Sequence, residues 1–177
     1  MSLSSTIPQA RTYEPLVIAF TDVGGYSRAA AGRDDQELAE FADELYGATD
    51  RCVRESGGRE VKHLGDGSLL VWPASSADSA ARALLALREE VNAILRKRGW
   101  HAELVVRVHV GEVVAGPFGA SGGYDIIGHA AMTAARLEAR TISFSQAAFR
   151  ALSPETRALL KKHTPPLVYV PARDPRP

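Results

Sequence analysis

The chain has 177 residues, 45% hydrophobic and 24% charged, a composition that suits a soluble globular protein with one well-filled core. Lys and Arg total 21 and Asp and Glu total 21, a balance that argues against an electrostatic grip on nucleic acid or on an anionic membrane. Cys52 is the single cysteine, so an intrachain disulfide and a cysteine-based zinc cluster are excluded, and a reducing, cytoplasmic setting is expected.

No apolar run approaches the ~20 residues of a membrane span, and no signal-peptide pattern opens the chain. A polar lead-in, Met1 to Thr6, comes first, within a flexible stretch expected over 1–13. Pro15 to Phe20 is an apolar run that predicts a buried strand, ending at Asp22 and the breakers Gly24-Gly25. From Asp34 to about Ser56, Leu38, Phe41, Leu45, Ala48 and Cys52 recur at spacings of three and four, the stripe of an amphipathic helix. Asp34, Asp35 and Glu37 suit its N-terminus, and Gly57-Gly58 end it.

Glu60 to Leu64 and Ser68 to Trp72 then read as a hairpin around Gly65-Asp66-Gly67. Ser75 to about Arg98 is a second long helix, closed by Gly99. Strand patterns follow over Leu104–Val110, Val113–Phe118 and Tyr124–Ile127, with a glycine-rich tip at Gly119–Gly123. A short helix is expected over His129–Ala139 and a brief strand over Thr141–Ser145. Ser153-Pro154-Glu155 is a helix start, Leu167–Val170 a last strand, and 171–177 a tail. The order β-α-β-β-α-β-β-α predicts one domain, 14–170, with an α+β sandwich of ferredoxin-like type. That fold serves many functions, so function has to be read from sites.

Three segments carry chemistry. In Phe20-Thr21-Asp22-Val23-Gly24-Gly25-Tyr26-Ser27 a carboxylate ends a buried strand, and two glycines let backbone N–H groups approach an anion. Such a set fits Mg²⁺-nucleotide binding, and equally a capping Asp beside a tight turn. In Lys62-His63-Leu64-Gly65-Asp66-Gly67, Asp66 sits at a hairpin tip. If the first and third strands are neighbours, Asp22 and Asp66 meet at one end of the sheet, where two carboxylates repel unless a cation lies between them. A plain type I′ Asp-Gly turn is the other reading. In Tyr124-Asp125-Ile126-Ile127-Gly128, running into Met132-Thr133-Ala134-Ala135-Arg136, a cationic arm on a small-residue helix suits a phosphate, or a surface charge pattern with Glu138.

Together with Arg107-Val108-His109-Val110-Gly111-Glu112-Val113-Val114-Ala115-Gly116, these segments resemble the catalytic domain of class III nucleotidyl cyclases, the adenylate and guanylate cyclases, over roughly Val17 to Glu138. The resemblance implies that Asp22 and Asp66 hold metal, two Mg²⁺ or Mn²⁺ per site. It implies that Lys62 and Asp125 contact the base and that Gly24, Gly25 and Tyr26 line the substrate. Arg136 and Lys161 fall on the family's phosphate contacts. Adenine presents an N6 donor and an N1 acceptor, so an Asp carboxylate and a Lys ammonium complement ATP rather than GTP. The family also implies a homodimer with shared sites, the Phe118–Tyr124 tip embracing the partner. No nucleic-acid or membrane partner is expected, and control would come from expression, a regulatory partner or a small molecule.

Two departures stand out. Met132 occupies the family position of an Asn that orients the ribose, and a thioether cannot donate that hydrogen bond. The sequence also runs almost directly from Glu138 into Thr141–Ser145, where family members carry a longer connection. A second reading follows from Met132: a catalytically degenerate cyclase homology domain acting as a nucleotide-binding or dimerising signalling module. An RNA-recognition domain would need exposed strand aromatics and a basic surface, and aromatics are only 7%. A diguanylate cyclase would carry GG[DE]EF on its hairpin, which reads Leu64-Gly65-Asp66-Gly67-Ser68.

Overall fold

A computed structural model describes residues 10–139, 141–164 and 166–174. The lead-in Met1 to Thr6, Arg140 in the short connection, and the end of the tail lie outside the described residues.

The first apolar run belongs to a strand longer than expected, β1 (Thr12–Gly24). Its alternate residues serve two cores: Val17, Ala19 and Val23 face one layer, Leu16 and Ile18 the other. A short helix, α1 (Tyr26–Ala30), leads to α2 (Asp35–Ser56), where the Asp34 carboxylate accepts from the Glu37 N–H at 2.8 Å. The hairpin β2 (Arg59–His63) and β3 (Ser68–Pro73) precedes a 3-10 turn and α3 (Ala77–Lys97). Next come β4 (Glu103–Phe118), β5 (Gly123–Ile127), α4 (His129–Arg136) and β6 (Ile142–Phe144). The chain finishes with α5 (Gln146–Ala151), α6 (Pro154–Arg157), β7 (Leu160–His163) and β8 (Val168–Pro171).

The strands form one sheet in the order β2-β3-β1-β4-β6-β8-β7, with β5 added to β4. The first four positions, β2-β3-β1-β4, are antiparallel and ferredoxin-like, as expected. The parallel β6 and the β8-β7 hairpin extend the far side. On one face α2 and α3 bury Phe41, Leu45, Leu84, Leu87 and Val91 against Val17, Leu70, Trp72, Val106 and Val108. On the other face α4 lays Ala130 and Ala134 on Ile18, Val71, Val113 and Ala115. That helix lies close because β4 offers Gly111, where a Cβ would come within 2.7 Å of the Ala130 Cβ.

Three details differ from the sequence reading. β4 runs unbroken through Gly111-Glu112, because β1 pairs with it along its whole length from Thr12↔Ala115 to Gly24↔Glu103. α4 stops at Arg136 rather than Ala139, since Leu137 adopts extended backbone (φ −63°, ψ 126°). The segment expected as a tail is held at its start: the Ala172 N–H donates to the Leu159 carbonyl at 2.8 Å, and Arg88 pairs with Asp174 at 3.1 Å.

Candidate active site

The first and third strands are neighbours, in the register Thr21↔Ser68. That pairing brings Asp22, one residue beyond Thr21, beside the β2–β3 turn that carries Asp66. The turn is built to approach β1 closely. Its left-handed residue is Gly65 (φ 72°), not the Gly67 that a type I′ Asp-Gly turn would require. Gly67 is needed for space: a Cβ there would sit 2.0 Å from the Thr21 carbonyl oxygen. The Thr21 hydroxyl also accepts from the Ser68 N–H at 2.8 Å, tying the strand end to the hairpin.

Asp66 has its pKa raised, first by burial and then by the Asp22 charge, while its own N–H and that of Val23 work the other way. Neither aspartate takes part in an ion pair among the described residues. Two facing carboxylates without a cationic side chain form an oxygen donor set that fits Mg²⁺ or Mn²⁺. Among the described residues no group of three or more His, Cys, Asp or Glu gathers to hold a metal. Two carboxylates leave the remaining coordination positions to substrate oxygens and water, the usual Mg²⁺-nucleotide arrangement.

Gly25 caps α1 in the left-handed region (φ 87°), and α1 is five residues long, too short to supply much helix dipole. Tyr26 packs beside Phe41 and Trp100 with ring centroids 6.1 and 6.0 Å away. Its pKa is raised by burial, then by Asp66 and Tyr46, which keeps the phenol protonated near the metal-candidate pair.

The third strand element completes a second cluster. Lys62 on β2 and Asp125 on β5 form an ion pair with Nζ and Oδ2 2.6 Å apart. The other Asp125 oxygen accepts from the Ile126 N–H at 2.8 Å, fixing the carboxylate. Arg59 covers the Tyr124 ring at 4.3 Å and so joins β2 to β5 a second time. Arg136 stands exposed at the end of α4, in no ion pair among the described residues. Met132, one turn earlier on the same helix, is 47% exposed. Lys161 lies on β7, where its ammonium donates to the Asp174 carbonyl rather than joining either cluster.

Sequence reasoning missed a set behind the Asp66 turn. Ser68, 2% exposed, donates to Glu60 Oε1 at 2.5 Å and lies 3.2 Å from His63 Nδ1. Tyr46 on α2 donates its hydroxyl to the Gly65 carbonyl at 3.0 Å. The available signal was its place in the sequence: Tyr46 is an aromatic one residue off the apolar stripe that runs through Leu45.

The model of the adenylate and guanylate cyclase catalytic domain matches residues 8–170. The chain belongs to that family. An adenylate cyclase of Mycobacterium tuberculosis (strain ATCC 25618 / H37Rv) is 33% identical over 135 residues, covering 73% of this chain and 30% of that protein. A receptor-type guanylate cyclase of Drosophila melanogaster is 27% identical over 136 residues, covering 72% of this chain and 9% of that protein. The cyclase domain here therefore spans less than a third of the length of these relatives.

Among solved structures, the adenylyl cyclase CyaB of P. aeruginosa superposes with a TM-score of 0.78 at 18% identity, covering 94% of this chain and 97% of that one. The guanylyl cyclase Cya2 gives 0.73 at 19% identity, covering 91% and 92%. At those identities the likeness establishes a shared fold. No helix of this cyclase domain, among the described residues, is long and apolar enough to cross a membrane.

Proposed function

We propose that this cyclase domain converts ATP to cyclic AMP and pyrophosphate. The observation that carries this reading is the Lys62–Asp125 pair. Its donor and acceptor lie side by side, the complement of adenine's N1 acceptor and N6 donor. Guanine presents the opposite pattern, a carbonyl at position 6 and a protonated N1, and in adenine's placement would set acceptor against Asp125 and donor against Lys62.

Asp22 and Asp66 would hold the divalent cations, Mg²⁺ or Mn²⁺. When bound, these supply charge neutralisation at the triphosphate and acidify the ribose 3′-hydroxyl. The chain's own residues orient the rest. Lys62 and Asp125 fix the base, and through it the ribose, for in-line attack of the 3′-oxygen on the α-phosphorus. Arg136, exposed and in no ion pair among the described residues, would stabilise charge that develops as pyrophosphate leaves. Gly24 and Gly25 leave the backbone open to a phosphate, and Tyr26 adds a protonated hydroxyl beside Asp66. Lys161 reaches a phosphate only by giving up the Asp174 carbonyl.

The working unit is a homodimer with two shared sites. Lys62 and Asp125 pair with each other within one chain, and among the described residues neither Asp22 nor Asp66 has an ion-pair partner. A second copy would bring its own Lys62, Asp125 and Arg136 to that aspartate pair.

Met132 favours a second reading, a domain that binds nucleotide and dimerises with little turnover. Incubation of the protein with ATP and Mn²⁺ separates the two. Cyclic AMP above an Asp66→Ala control supports the enzyme. Its absence, with ATP still bound in calorimetry, supports the binding module.

A further inference from the structure

We propose that Tyr46, on the outer helix α2, is a positioning residue that clamps the turn carrying Asp66 against the end of β1. The proposal rests on the reading of Asp22 and Asp66 as a metal-holding pair. Three contacts converge on the turn. The Tyr46 hydroxyl donates to the Gly65 carbonyl at 3.0 Å, from 19 residues away in sequence. Its ring packs on the His63 imidazole, with centroids 4.0 Å apart and planes 30° apart. His63 is itself held from the other side, its Nδ1 2.9 Å from Glu60 Oε1 and 3.2 Å from the Ser68 hydroxyl.

The turn needs an outside support. Its closure includes one short hydrogen bond, from the Leu64 N–H to the Gly67 carbonyl at 2.7 Å. Gly65, in the left-handed region with nothing within 4 Å of where its Cβ would be, leaves the tip with wide conformational freedom. Leu64 is 46% exposed and provides little anchoring. Asp66 meanwhile must stay beside Asp22, a like charge that pushes the tip away. Tyr46 opposes that push by holding the carbonyl of the residue just before Asp66. A rigid α2 delivers the hydroxyl, since Leu45 next to it is anchored in the core at 4% exposure. The hydroxyl therefore bears on the separation of two carboxylates that it does not touch, and metal affinity depends on that separation.

Tyr46→Phe keeps the ring on His63 and removes only the hydrogen bond. Two readouts on the full chain test it. In metal-free protein, amide exchange at Leu64 should quicken about fivefold, the effect of losing one ordinary hydrogen bond. In a Mn²⁺ titration without nucleotide, the dissociation constant should rise about fivefold or more, while the melting temperature stays within about 2 °C of the parent. Unchanged exchange at Leu64, or an unchanged Mn²⁺ constant beside faster exchange, overturns the positioning role. If the parent chain binds Mn²⁺ no better than Asp66→Ala, the metal reading of the proposed function fails instead, and the exchange comparison still decides whether Tyr46 clamps the turn. Tyr46→Leu, which also removes the ring, should exceed Tyr46→Phe in both effects.

Discussion

Lys62 Nζ and Asp125 Oδ2 lie 2.6 Å apart although 63 residues separate them in sequence. Lys62 is 45% exposed and Asp125 30% exposed, so the pair adds little to folding, about 0–1 kcal/mol. Its placement matters for recognition. Each group leaves the base with a charged partner, and hydrogen bonds to charged groups are worth about 1.5–3 kcal/mol when made in a closed site.

Lys62→Ala and Asp125→Ala should each raise the KM for ATP by at least about tenfold. The double variant should cost less than the product of the two, because each residue also holds the other in place. Melting temperatures should move by no more than about 3 °C. Steady-state kinetics on the three variants, with melting curves alongside, check this.

Divalent cation should stabilise the folded chain. Asp66 has its pKa raised by burial and by Asp22, so its ionised form is less favoured than an ordinary carboxylate's, and a cation between the carboxylates would offset both causes. Saturating Mn²⁺ at about a hundredfold its dissociation constant stabilises by about 2.7 kcal/mol, which is about 5–10 °C in melting temperature at this size. Asp22→Ala and Asp66→Ala should abolish the Mn²⁺ increment. Thermal melts with Mn²⁺ and with a chelator measure it.

Met132→Asn should raise turnover. The side chain is exposed on the same helix as Arg136, one turn before it. An amide there can hydrogen-bond the ribose where a thioether cannot. One transition-state hydrogen bond of this kind is worth about 10²–10³ in rate. The gain should fall on kcat more than on KM, and ATP turnover assays on the variant report it.

Much of this was legible in the sequence, and the remainder shows where patterns stop. Phe41, Leu45, Leu84, Leu87 and Val91 declared their helices by spacing, and all five are among the buried residues of α2 and α3. The Asp22–Asp66 relation was readable from one topological condition, the pairing of β1 with β3. The short elements α1, α5 and β7 were not, because a few residues carry no period to count. Nor was the support of the Asp66 turn. Tyr46, Glu60, His63 and Ser68 make side-chain hydrogen bonds and stacking contacts that depend on tertiary placement, and no spacing encodes them. The alternative type I′ reading would have given Gly67 a positive φ; Gly67 supplies instead the absence of a side chain beside Thr21.

Stability should fall on mild acidification. His109 on β4 is half-buried, and burial lowers its pKa; its Nδ1 lies 2.8 Å from the Ser145 hydroxyl. A histidine depressed in the folded state contributes stability that is present above its unfolded value, about 6.5, and is lost as pH falls through the folded value. Unfolding free energy should therefore decline from about pH 7 toward pH 5. His109→Gln should flatten that decline, as denaturant titrations at several pH values would register.

A cyclic-AMP-forming site shared by two copies of the chain can be tested by complementation. Asp66→Ala and Arg136→Ala are each purified, shown to be inactive with ATP and Mn²⁺, and then mixed. Half of the re-formed dimers carry one intact site of two, so the mixture should recover about one quarter of the parent rate of cyclic AMP formation. A mixture no more active than its separate components, under conditions where the subunits exchange, would contradict the shared site.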